Sequence, residues 1–183
     1  MPAKSPDLLT VEQRLFFTQI PADMSEREIA RYYTLSEEDK AVIGRQHGSP
    51  NRLGFAVQLC ALRYPGRPLT DLIEVPRLAL EYIADQVGVS PESFSRYGQR
   101  QSTLSEHLAR IRDAFGFRDY GWPEMLAAAR HLLPRALENH RHLPLIHSAL
   151  AYLRERQIIG FLQDTGESRT HTRNQVHSCT KYL

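Results

Sequence analysis

From Asn51 to Gly66 the chain reads NRLGFAVQLCALRYPG, and this stretch constrains the fold most. Leu53, Phe55, Ala56, Val57, Leu59, Cys60 and Leu62 make a helix apolar over much of its surface, so it must be largely enclosed by other elements. Pro50 suits a first turn, and Pro65 with Gly66 ends the helix: proline lacks the donor and glycine tolerates the turn. Asn51, Arg52, Gln58 and Arg63 interrupt the apolar surface. Between Ala41 and Thr70 there is no Asp or Glu, whereas Arg45, Arg52, Arg63 and Arg67 all fall inside. A solvated surface mixes signs, so an anionic partner is the simplest physical reason for the imbalance.

The rest of the chain supplies helices to enclose it. Thr10 can cap a helix over residues 11–19, with Leu15, Phe16 and Ile20 on its apolar side. Ser25 with Glu28, and Ser36 with Asp39, are capping boxes that open helices over 26–33 and 37–46. His47–Pro50 turns tightly into Asn51, so the pair has helix-turn-helix proportions. A loop over 66–74 leads to a helix over 77–87. Ala84, Gly88 and Phe94 then take the spacing of a second helix-turn-helix, with Ser90 as cap, Pro91 in the first turn and a second helix over 91–97. Further helices are expected over 99–115, with Arg100, Gln101, His107, Arg110 and Arg112 on its outer face. Others follow over 122–133, from Pro134 to His140, and over 145–159. No sustained strand alternation occurs. After Gly160 the period is lost, and 161–183 reads as a disordered tail for which an out-of-frame origin is also a fitting explanation.

The predicted fold class is therefore all-α: a multi-helix bundle with two helix-turn-helix-like subdomains and a disordered C-terminal tail. The first subdomain covers 10–68 and the second 76–160, the latter with supporting helices over 122–160.

Composition excludes more than it assigns. Apolar residues make up 42% and charged residues 24%, ordinary for a globular chain. With a net charge of +2, any nucleic-acid signal must come from patches. Cys60 reads as a core residue, and neither it nor Cys179, even beside His171 and His177, has metal-ligand spacing. No signal peptide or spanning run is present, so a cytoplasmic location is expected. The eight histidines, among them His131, His140, His142 and His147, lack a nucleophile or carboxylate partner at a telling spacing. No phosphate loop or nucleophile elbow occurs. No cofactor is expected.

The candidate contact residues are Arg45, His47, Asn51, Arg52, Arg63 and Arg67 around the first helix pair, and Ser90, Ser93, Arg96, Arg100 and Gln101 around the second. Arginine can hold phosphate or read guanine, and Asn51 can pair an adenine edge; hydroxyls suit backbone contacts. Arg52 and Arg63 lie eleven residues apart, about three turns, so they can share a face along a groove. The bland alternatives are that Asn51 caps its helix, that Arg52 pairs with Asp39 or Glu38, and that the second set is an ordinary solvated face. Gln58, among apolar neighbours, reads as an internal hydrogen-bonding group.

The runs YYTLSEEDKAVI, HGSPNRLGFAVQLCALRYPGRPL, EYIADQVGVSPESFSRYGQRQSTLSEHLARIRDAFGFR and HLLPRALENH, in that order, resemble the N-terminal domain of Tn-three family transposases, the large bacterial replicative transposases, over roughly residues 5–160. The resemblance implies a DNA-binding module for transposon terminal inverted repeats, nucleoid-associated, with double-stranded DNA and other transposase subunits as partners. It places the catalytic carboxylates in a C-terminal domain without counterpart here, so the chain is not expected to be an enzyme. A helical protein-interaction or oligomerisation module of the transposition complex is the alternative. Salt separates them, since arginine–phosphate binding weakens steeply with ionic strength and an apolar interface does not.

Overall fold

The computed structural model describes residues 10, 13, 17, 19–69, 74–99, 101–138 and 141–159, with Gln101 by its backbone only. The expected helix over 11–19, the middle of the 66–74 loop, Arg100, His140 and the 161–183 tail lie wholly or mainly outside these residues. Seven α-helices are described: α1 Glu26–Tyr33, α2 Glu37–Gly44, α3 Ser49–Arg63, α4 Arg77–Val87, α5 Gln101–Phe115, α6 Trp122–Glu138 and α7 His142–Glu155. A 3-10 segment, Pro91–Arg96, lies between α4 and α5, and two-residue strands β1 (Arg118–Asp119) and β2 (Ile158–Ile159) pair in parallel. The protein is all-α.

Local chemistry accounts for the element ends. Both capping boxes form: Ser25 N–H donates to Glu28 Oε2 at 2.9 Å, and Ser36 N–H to Asp39 Oδ2 at 2.8 Å, with the reciprocal bonds from Glu28 N–H and Asp39 N–H. Thr10 and Gln13 exchange the same kind of pair. Gly88 ends α4 at φ 70°, letting Val89 N–H reach back to the Ala84 carbonyl at 3.1 Å. The carbonyl of Tyr33 at the end of α1 accepts from Gln86 Nε2 of α4 at 3.0 Å, while Gln86 Oε1 accepts from Leu35 N–H at 2.8 Å.

α3 is the axis of the molecule. Every residue from Leu53 to Leu62 is buried, and α1, α2, α4, α5 and the 3-10 segment all pack on it. Side chains of residues 20–62 and of residues 79–117 join one continuous core, which Ile159 completes from the far end of the chain. A smaller cluster of Ala128, Tyr152, Leu153 and Ile158 forms where α6 meets α7.

Three elements differ from the sequence reading. The segment after Ser90 is 3-10, not α: Ser93 N–H bonds to Ser90 O and Tyr97 N–H to Phe94 O, each spanning three residues. Pro91 lacks a donor, and Ser90 and Ser95 bond to Glu92 locally, which competes with the α pattern. Pro134 lies inside a continuous α6 instead of opening a new helix. Its ring is exposed, so the carbonyl it leaves unbonded can turn to water, and Arg135 holds the following turn to Ser148 Oγ at 2.7 Å. Finally, α7 stops at Glu155, and Ile158–Ile159 pair with β1 instead of extending the helix.

Candidate nucleic-acid interface

Positive charge gathers around the α2–α3 turn. Arg45 ends α2, and it and His47 are exposed. Gly48 at φ 82° turns the chain into α3, where Asn51 Nδ2 donates to the His47 carbonyl at 3.0 Å and so braces the turn. Arg52 follows in the first turn, half-buried. From α5, Arg110 NH1 donates to Gln46 Oε1 at 3.0 Å, and buried Gln46 is itself held by its Nε2 on the Val42 carbonyl. Arg45, Arg52 and Arg110 form no ion pair among the described residues. Arg110, which the sequence placed only on the outer face of its helix, joins this group because the fold brings α5 to the turn.

The remaining candidates separate from this group. Arg63 does not stand in a row with Arg52: its NH1 and NH2 donate to Asp39 Oδ2 and Oδ1 at 2.8 and 2.7 Å, and its guanidinium lies over the Phe115 ring. Asp39 is 2% exposed. Burial alone would raise its pKa, but the bonds from Arg63 and the Ser36 backbone outweigh this and hold the carboxyl below its ordinary value. Burial likewise opposes the charge on Arg63, and Asp39 more than compensates. The acid expected to pair with Arg52 thus belongs to Arg63, one helix length further on. Arg67 is also buried, so it does not extend an exposed row. In the second set, Arg96 and Ser90 are exposed, with Ser90 bonded to Glu92, while Ser93 is buried. Arg100 lies outside the described residues, and Gln101 opens α5.

Two corrections of role follow. α3 cannot lie along a groove, because Leu53–Leu62 are enclosed; only its two ends reach solvent, and at the far end Arg63 is tied to Asp39. His107, expected on the outer face of α5, is 4% exposed. It belongs to an internal network in which Gln58 Nε2 donates to the Leu104 carbonyl at 3.3 Å and Gln58 Oε1 accepts from Tyr97 OH at 2.8 Å. With its proton committed, the Tyr97 oxygen accepts from His107 Nδ1 at 3.0 Å, which fixes that ring's tautomer. Burial, and then nearby Arg110, lower the His107 pKa below its ordinary value. Gln58 is the internal polar group that its apolar neighbours implied. Gly54 lets the Tyr97 ring lie directly on α3, as a Cβ there would occupy the ring's space.

The groove between α1 and α4, about 530 Å³, is a poor place for an anion: its lining sets three acids, Glu26, Glu81 and Asp85, against one base, Arg27, around the apolar Ile29 and Leu78. Among the described residues no group of His, Cys, Asp and Glu could hold a metal ion, and no helix is long and apolar enough to cross a membrane.

Residues 8–160 match the family described as Domain of unknown function (DUF4158). The chain is 41% identical over 157 residues to the transposase for transposon Tn1546 of Enterococcus faecium, 36% over 160 residues to that for Tn21 of Escherichia coli, and 35% over 156 residues to that for gamma-delta of Escherichia coli strain K12. These matches cover 86%, 87% and 84% of this chain but 16% of each relative. The chain belongs to the DUF4158 family, and its relatives are the Tn-three family transposases that its ordered landmarks resemble.

Proposed function

We propose that this chain is a DNA-binding module of a transposase that takes the terminal inverted repeats of a transposon. The observation that carries the reading is the acid-free α2–α3 turn, where Arg45, His47 and Arg52 gather with Arg110 in a chain related to transposases. Arg45 and Arg52, without ion-pair partners among the described residues, keep their donors for phosphate, and Arg110, held through NH1 by Gln46, keeps its remaining ones; each phosphate contact releases condensed counterions. The first turn of α3 points at the same place, and its unpaired N–H groups favour phosphate oxygens. Arg96 and Ser90 supply backbone contacts from the 3-10 segment, which position the protein without reading bases. Catalysis belongs to the part of such a transposase that this chain does not span.

Fluorescence anisotropy with a labelled transposon-end duplex and a scrambled duplex, at several salt concentrations, tests this. Arg45→Ala and Arg110→Ala should weaken binding to both duplexes, each flattening the plot of log affinity against log salt by about one unit. Preference for the transposon end over the scramble should survive both changes. Salt-insensitive binding, or none to either duplex, would refute the proposal.

A further inference from the structure

α6 presents an apolar face that no described residue covers. Trp122, Leu126, Leu133 and Leu137 are 69%, 59%, 58% and 75% exposed, with exposed Ala129 between them. At about 100° per residue these five fall within roughly 80° of the helix circumference, a single stripe along its length. The opposite side of α6 is already used: Ala128 packs with Tyr152 and Leu153, and His131 stacks on Tyr152 at 4.4 Å between centroids. From Trp122 to Pro134 the only exposed charge is Arg130. A helix face that meets water alone carries mixed charges, so this pattern is that of a contact surface.

We propose that this stripe seats the polypeptide that follows the corresponding segment in full-length transposases, an intramolecular contact through an apolar ridge. The inference rests on the family relationship and not on the DNA-binding reading. Three observations choose this occupant. The family match ends at residue 160, while the relatives are about six times as long as the part matched, so most of such a protein lies beyond. Described residues end at β2, whose Ile158 packs in the same cluster as Ala128 on the buried side of α6, so a continuing polypeptide starts about one helix diameter, ~10 Å, from the stripe. The patch is on the order of a few hundred Å², short of the ~800 Å² per partner of a standard interface between separate molecules. A tethered domain needs no such area, because its effective concentration is already about millimolar.

Trp122, the chain's single tryptophan, reports on the stripe. The probe is the Tn1546 transposase from which the segment matching this chain has been removed. Titrated into the 183-residue chain, it should shift the Trp122 emission to shorter wavelength, with the Trp122→Phe chain as the subtraction blank. Leu126→Glu and Leu133→Glu should weaken the complex about tenfold or more. In a second measurement the same remainder is joined to residue 160 of this chain. There each Glu substitution should lower the melting temperature, while in the 183-residue chain alone it should leave it unchanged. Complex formation that ignores both substitutions overturns the proposal. So does equal sensitivity of the joined and unjoined chains, or a free chain that is a dimer broken by these substitutions, which would make a second copy the occupant.

Discussion

Arg63 shows how a side chain changes meaning when its partner is far away in sequence. Asp39 stands 24 residues before it, on another helix, and nothing in the spacing announces that the two meet in a forked pair. With Asp39 buried, Arg63→Ala leaves a carboxylate without its counter-charge, and urea unfolding should show a loss of about 3–5 kcal/mol. Arg45→Ala, at an exposed site without a partner, should stay within about 0.5 kcal/mol. Asp39 titrates below its ordinary value of 3.8, so its stabilisation is fully present above that pH and is lost as pH falls below it. His107 works at a higher pH. Its folded pKa lies below 6.5, so the unfolded chain binds the extra proton first, and stability falls as pH drops through and below 6.5. The drop in urea midpoint between about pH 7.5 and 5.5 should therefore be smaller in His107→Gln than in the parent; an unchanged drop would show that His107 is not the group that titrates. At this scale the acid-free stretch was visible in the sequence. Which of its arginines face water was not, because that depends on contacts such as Arg63 with Asp39 and Arg110 with Gln46.

Among the elements, legibility followed the range of the forces. Ser25 with Glu28, Ser36 with Asp39, and Gly88 act within one turn, and the helices they delimit begin or end where those residues predict. Pro91 and Pro134 look alike as helix-starting residues, yet one opens a 3-10 turn and the other rides inside α6, because packing of the neighbouring elements decides. α3 was legible as an enclosed helix but not as a scaffold. Its apolar girth forbids it from lying in a groove, and the same girth makes it the most sensitive element. Leu53→Ala or Leu59→Ala, each at 0% exposure, should cost about 2–5 kcal/mol in chemical denaturation. Gly54→Ala adds only a methyl group but drives it into the Tyr97 ring, and should cost about 1–3 kcal/mol. In the double variant Gly54→Ala/Tyr97→Leu the two losses should add to less than their sum, since the clash disappears with the ring. Full additivity would place the strain elsewhere.

In the whole molecule two adjacent residues of β2 reach two different cores. Successive side chains of a strand point to opposite faces, and β2 uses this alternation fully: Ile158 enters the small cluster between α6 and α7, while Ile159 enters the main core around α3. β1 holds β2 in place through Arg118 N–H to the Gln157 carbonyl at 2.8 Å and Tyr120 N–H to the Ile159 carbonyl at 3.0 Å. The helical pair α6–α7 is thereby stitched to the body by its last residues. The two substitutions Ile158→Ala and Ile159→Ala, chemically identical and adjacent, should then act on different parts. Each removes buried volume worth about 2–5 kcal/mol locally. Ile158→Ala should speed amide hydrogen exchange in α6 and α7 and leave α3 protected, because the small cluster can open without the main core. Ile159→Ala should speed exchange throughout α1, α3 and α5 by lowering the global stability. Trp122 emission and far-UV circular dichroism should follow one transition in the parent and separate in Ile158→Ala, with the tryptophan changing first. If both variants raise exchange everywhere to the same degree, the two cores unfold as one unit and β2 is simply part of it.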